Sequence, residues 1–330
     1  MPAPRDRPDA APDAPRFAVS CVVTAFAPTA DLLDHLRALT GQVDRIVLVD
    51  DGSGPAYDAV LADAAAMGVD VVRLPRNLGI AAALNAGVRA LLDDASGSAP
   101  APDGIVFFDQ DSRVGPGFVR AVADAHVAAS RDGLPVAAAV PEFFADVSQV
   151  HGEQGPHLIA RRPIQSGMLV AAVALRAIGP FREDLFIDLV DTEFSMRAEV
   201  RGFIMVAARG LDLPHELGRR VGIRVLRRVL RTPSGRPMGF TVSAPFRYYY
   251  RARNRVAVNR IYRRRLPLTV ARATLLEMRH YVIVWLAVRD RREFTRILRA
   301  GRADGRAGRM GRIPDAVAEV AARIDWRVPQ

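Results

Sequence analysis

Residues 105–112 read IVFFDQDS, four apolar residues that end in Asp109 and Asp111 with one residue between them. Set side by side, the two carboxylates repel each other. A cation at that point removes the repulsion, and Mg²⁺ or Mn²⁺ takes such oxygen ligands. The plainer alternative is a core strand that simply reaches the surface. A lone D-x-D is a weak signal, so the rest of the chain must decide.

The other apolar runs end in polar groups too. The first ends at Thr24-Ala25-Phe26, the second in Asp50-Asp51-Gly52-Ser53, and the third leads to Arg76-Asn77-Leu78-Gly79. None of these turns has the glycine spacing of a dinucleotide or P-loop site. A nucleotide diphosphate at this edge would therefore need a divalent ion between it and the carboxylates.

The elements that must position these groups follow from periodicity. The spacing predicts strands over 17–25, 45–50, 69–74 and 104–109, alternating with helices over 30–40, 55–67, 78–94 and 116–131. That alternation implies an α/β fold with a mainly parallel sheet flanked by helices, binding its ligands at the carboxyl ends of the strands. The regular pattern stops over 135–173, a stretch of short apolar pieces and turn signals. A helix is expected from near Asp191 to Gly202. The region after Gly218 reads as Arg-rich and mostly helical, punctuated by Pro233, Pro237, Pro245, Pro267 and Pro314.

The motifs VVTAFAP, VDDGS, NLGIAAALNAG and FFDQDS, in this order, resemble the nucleotide-binding half of family 2 glycosyltransferases with the GT-A fold. FREDLFIDLVDTEFSMRA (181–198) is similar to the acceptor-side motif of the family's rhamnosyltransferases, and RYYYRARNR (247–255) to a later segment of that subgroup. The resemblance spans residues 18–265. It implies a nucleotide-sugar donor bound through Thr24, Phe26, Asp50, Asp51, Asn77, Gly79, Asn85, Asp109 and Gln110, with Asp50 at the base and Asp109 near the ribose and diphosphate. It implies Asp111 and His215 as ligands of Mg²⁺ or Mn²⁺, and Asp191 as catalytic base. Asp188, Glu193 and Phe194 fall on the acceptor side, Phe194 replacing a commoner Trp as the stacking aromatic; Glu193 and Asp188 are the fallback bases. The donor implied is dTDP-L-rhamnose, with a UDP-hexose or UDP-galactofuranose as runner-up, and the acceptor a saccharide or lipid-linked saccharide.

Several of these residues have plainer structural roles. Asp191 sits at a helix start, where Asp is a favoured N-cap. His215 suits a surface or capping position, and Asn77, Gly79 and Asn85 suit turns and caps.

The domain organisation expected is a disordered lead-in over 1–16, a GT-A domain over 17–218 (nucleotide part 17–132, acceptor part 133–218) and a basic helical C-terminal region over 219–330. Charge supports that division. The net +10 divides into −11 over residues 1–218 and +21 over 219–330, and every basic residue is Arg. A basic tail seeks phosphate. RRVGIRVLRRVLR (219–231) reads as a basic amphipathic surface helix, and Gly/Arg-rich 301–312 as a mobile linker. Anionic membrane lipid or a lipid-diphosphate acceptor is the expected partner, which places the chain in the cytoplasm, peripheral on the inner face of the plasma membrane. The longest apolar stretch near the C-terminus, Tyr281–Val288, is far short of the ~20 residues of a membrane span. Nucleic acid is not expected, although the tyrosines interleaved with Arg over 247–265 could stack on bases. A nucleotidyltransferase would carry a Gly-rich basic loop after the first strand, and TAFAPTAD has none. The single cysteine, Cys21, reads as a small core residue.

Overall fold

The computed structural model describes residues 16–93, 101–215, 219–222, 224–225, 228–229 and 239–325. Residues 1–15 of the expected lead-in lie outside the described residues.

The β-branched run at the start forms β1 (Val19–Ala25), buried along its whole length. Around it pair β2 (Arg45–Asp50), β3 (Asp70–Arg73) and β4 (Gly104–Asp109), all parallel, in the order β3-β2-β1-β4. Both faces of β1, β2 and β4 are covered, which is why they read as apolar runs, whereas β3 at the edge is only partly buried. On one face Cys21, Val23, Val106 and Phe108 meet α1 (Asp31–Leu39), α2 (Asp58–Ala66) and α4 (Phe118–Arg131). On the other, Val22, Val47 and Phe107 meet α3 (Ile80–Leu92).

The sheet continues past β4 through strands that the broken 135–173 pattern concealed. These are β5 (Val136–Phe144), β6 (Val147–Ser148), β7 (Val150–Gln154), β8 (His157–Ala160) and β9 (Met168–Ala171), joined later by β10 (Ile204–Leu213). The full order is β3-β2-β1-β4-β9-β5-β10-β8-β7, with β6 on β5. β9 runs antiparallel between β4 and β5, while β5 and β10 are parallel to each other. The fold is therefore a mixed, mostly parallel α/β sheet flanked by helices, as expected. Two short helices complete the acceptor half, α5 (Ala172–Ile178) and α6 (Val190–Val200).

After β10 two expectations fail. The 219–231 stretch is not a helix in its described parts: Arg219–Gly222, Arg224–Val225 and Arg228–Val229 are strands. Its apolar and Arg residues alternate closely enough to suit a period of two. The chain then forms α7 (Pro245–Tyr262), α8 (Pro267–Ala287), α9 (Arg291–Ala307) and α10 (Asp315–Ala322). Pro245 and Pro267 start their helices, where a missing N–H costs nothing. The expected linker over 301–312 is instead largely the last turns of α9. Gly301 and Gly305 bring that helix against α7: a Cβ on Gly301 would lie 2.4 Å from the Tyr249 carbonyl oxygen, and one on Gly305 2.6 Å from that of Arg253. They are glycines for closeness, not for mobility.

α7 is also part of the main core. Its Val258 and Tyr262 are buried with Phe181, Leu185 and Phe194 beneath the sheet. Gly301→Ala or Gly305→Ala should therefore destabilise the chain by about 1–3 kcal/mol. Gly115→Ala, with nothing within 4 Å of its Cβ, should be near neutral. Urea midpoints of the three variants check this.

Candidate active site

The parallel register carries the strand ends to one edge. Thr24 pairs with Asp109 across β1 and β4, and Ala25 with Asp50 across β1 and β2. A cavity of about 580 Å³ opens there, a size that suits a small-molecule ligand. Thr24, Phe26, Asp51, Asn77, Gly79, Asp109, Gln110 and Asp111 line it from the strand ends and their turns, and Asp188, Asp191 and His215 line it from later in the chain. Asp50, Asn85, Glu193 and Phe194 are not among its lining.

Those four residues are buried and hold the frame. Asp50 accepts from the Ser53 hydroxyl and, at 3.2 Å, from the Ser53 N–H, closing the turn after β2. The Ser53 hydroxyl oxygen in turn accepts from the Ala27 N–H at 2.8 Å. Asn85 donates to the Phe181 carbonyl at 2.8 Å and accepts from the Phe181 N–H at 2.9 Å, fixing the 181–183 chain to α3. Glu193 pairs with Arg197 at 2.8 Å and accepts from the Tyr262 hydroxyl at 2.7 Å, tying α6 to α7. Phe194 is fully buried with its ring centroid 4.7 Å from that of Phe181. The aromatic expected to stack on an acceptor is therefore a core residue.

At the strand-end edge, Asp51 accepts the Leu78 and Gly79 N–H groups at 2.7 and 2.9 Å, just ahead of α3. Gly79 has φ +93°, and a Cβ there would sit 2.5 Å from the Phe186 carbonyl oxygen. Only glycine allows the donor-side turn to touch the acceptor-side loop so closely. Gln110 bridges β4 to β1 by accepting the Phe26 N–H at 2.9 Å. Asp109 is half-buried, and Asp111 is exposed. Burial, with the Asp111 charge beside it, pushes the Asp109 carboxyl up to about 6.

The wall of the cavity made by residues 186–191 includes a strained loop. Phe186, Asp188 and Leu189 all have positive φ, at 66°, 64° and 63°. Such backbone persists only where its surroundings over-determine it. Here α7 does so. The Asn254 amide donates to the carbonyls of Leu185, Ile187 and Asp188 at 3.0, 2.8 and 2.8 Å. Fully buried Arg253 donates to the Leu185 carbonyl at 2.9 Å and to that of Gly311. Arg247 forks onto Asp188 through Nε and Nη2, the shortest contact being 2.7 Å. Sequence reasoning assigned no role to Arg247, Arg253 or Asn254. The signal was the RYYYRARNR segment itself, whose partners lie about 60 residues upstream.

α6 begins from Leu189 in the left-handed conformation, so Asp191 lies in the first turn and is not the N-cap. Burial raises its carboxyl above the usual range and Asp188 adds to this, whereas the Thr192 N–H and Arg247 pull it down. A carboxylate so placed is a better proton acceptor than an exposed one.

His215 faces Phe144 at 4.9 Å between ring centroids, and its Nδ1 is buried with no hydrogen-bond partner. An orphaned imidazole nitrogen in the same cavity lining as Asp109 and Asp111, its ring close enough to act on the Asp109 charge, fits a divalent ion. Among the described residues no three His, Cys, Asp or Glu side chains stand close enough to hold one unaided. Mg²⁺ is commonly held by one or two protein ligands with phosphate and water completing the shell, so the donor set fits an ion that arrives with a diphosphate.

Parts of this chain are similar to known proteins. Residues 20–162 match the family described as "Glycosyl transferase family 2". The "dTDP-rhamnosyl transferase RfbF" of Shigella flexneri is 24% identical over 294 residues, covering 84% of this chain and 91% of that protein. Among solved structures, S. aureus TarS aligns with a TM-score of 0.48 at 14% identity, over 73% of this chain and 39% of TarS. A TarS fragment, residues 1–349, aligns at 0.43 and 12% identity, over 88% and 72%. The chain thus spans well under half of the TarS chain in the first of these.

Asn254→Leu should cost roughly 2–3 kcal/mol by leaving loop carbonyls without donors. Amide exchange over 185–191 should accelerate more than exchange in β1, and mass spectrometry after deuterium labelling measures both.

Proposed function

We propose that this chain, whose residues 20–162 match the glycosyl transferase family 2 model, is a glycosyltransferase that moves L-rhamnose from dTDP-L-rhamnose to an acceptor hydroxyl with inversion at the anomeric carbon. One observation carries the reading. Asp109, Asp111 and His215 meet Asp188 and Asp191 around a single cavity, so donor and acceptor chemistry share one space. Similarity to a relative named as a dTDP-rhamnosyl transferase, over 84% of this chain, supports the sugar.

The donor lies across the ends of β1 and β4, its nucleotide toward the Asp51–Gly79 turn. Asp111 and His215 would hold Mg²⁺ or Mn²⁺, which neutralises charge on a departing diphosphate. Asp191 takes the proton of the acceptor hydroxyl. That oxygen forms its bond to the anomeric carbon from the face opposite the diphosphate, and the sugar–phosphate bond breaks with its electron pair on the phosphate oxygen. Asp188, locked by Arg247, holds the loop from which α6 and Asp191 start. The acceptor is a cell-surface polysaccharide or glycolipid precursor, met at the inner face of the plasma membrane. No helix among the described residues is long and apolar enough to cross a membrane.

The three tyrosines of RYYYRARNR are fully buried, so they cannot stack on nucleic-acid bases. That removes the stacking feature which favoured nucleic-acid binding.

Asp191→Asn should lower transfer at least about a hundred-fold and leave nucleotide affinity close to wild type. Full turnover by that variant, read by chromatography of the glycosylated product, would sink the assignment. The rate should fall at low pH with a limb above the ordinary carboxylate value of about 4. Arg247 lowers the Asp191 pKa, so Arg247→Met should move that limb to higher pH. Chelation by EDTA should stop donor hydrolysis, Mn²⁺ should restore it, and Asp111→Asn should need more Mn²⁺ for the same rate.

A further inference from the structure

α8 shows solvent a face that does not belong on a free surface. Leu268, Leu275 and Leu286 are 85%, 71% and 59% exposed, and Met278, Val282 and Trp285 are exposed beside them. At 100° per residue these six side chains fall within one arc about 100° wide. The opposite face, with Val270, Glu277, Tyr281 and Val284, is buried. A contiguous apolar patch of this kind marks an interaction surface.

Its borders are cationic. Arg265, Arg272 and Arg279, seven residues apart, are exposed along one edge. Past the C-terminal end of α8, Arg291 lies over the Trp285 ring at 4.8 Å and donates to the carbonyls of Trp285 and Leu286 at 3.1 and 3.0 Å. On the next helix Arg292, Arg296 and Arg299 repeat at i, i+4 and i+7, all exposed. Arg272, Arg279, Arg292, Arg296 and Arg299 make no ion pair among the described residues.

We propose that this α8–α9 face docks on an anionic lipid bilayer, with α8 lying in the plane of the interface. The apolar arc enters the boundary between headgroups and acyl chains, Trp285 sits at headgroup depth, and the arginines pair with lipid phosphates. A second copy of the chain fits worse, because a two-fold contact would set the Arg rows of the two copies against each other. The inference rests on the membrane placement in the proposed function and assigns it to a surface, away from the 219–231 stretch.

The test uses the full chain and sedimentation with vesicles, either phosphatidylcholine alone or phosphatidylcholine mixed with phosphatidylglycerol. The wild type should pellet with the mixed vesicles, stay in solution with the neutral ones, and be released by high salt. Leu275→Glu with Leu286→Glu should lower the partition coefficient roughly a hundred-fold while the melting temperature stays unchanged. Equal pelleting of the variant and wild type, or a wild type that ignores mixed vesicles, overturns the proposal. A wild-type dimer in sedimentation velocity that the variant breaks, without vesicle binding, overturns it in favour of a contact between copies. Donor hydrolysis without vesicles is measured in parallel and tests the enzymatic reading alone.

Discussion

Like charges crowded into a partly buried cleft are the constraint around which this molecule is arranged. Asp109 ends β4 and Asp111 follows it in the turn, while Asp188 and Asp191 come from the 186–189 loop and the start of α6. Left alone, such groups separate or take up protons, and Asp109 already holds its proton up to about pH 6. The fold keeps them together by fixing the backbone on both sides. Strand register fixes Asp109, and Gln110 is held through the Phe26 N–H. On the other side α7 fixes the loop. Perturbed carboxylates gathered in one cleft mark it as the candidate functional site.

The C-terminal helices are part of that device. Arg253 is fully buried, and a lone buried guanidinium is expensive. Here it meets backbone carbonyls from two segments and lies 4.9 Å from the Tyr250 ring centroid. Tyr250 in turn stacks on Phe186 at 5.2 Å. The contacts run from α7 through Phe186 to Gly79, so the late helices reach the donor-side turn through packed atoms. Glu193 and Tyr262 add a second tie, deeper in the core.

The strand–helix alternation of the first 131 residues was legible because strands covered on both faces must be apolar throughout. The polar strand ends were legible for the same reason, as abrupt departures from such runs. The antiparallel β9 was hidden, since MLVA is too short to show a period. Gly301 and Gly305 misled because closeness and freedom call for the same residue. Phe194 misled because a helix near a cavity has two faces, and the sequence alone did not say which one faced in. Asn254 and Arg247 act on a loop about 60 residues upstream. No local pattern encodes such a partner.

Under the proposed function, the cleft binds a sugar nucleotide together with a divalent ion. Calorimetric titration of the chain with dTDP-L-rhamnose, with and without Mn²⁺, tests it most directly. The account predicts saturable binding at one site that requires the ion. No heat with dTDP-L-rhamnose or any UDP-sugar, with Mn²⁺ present, would contradict it.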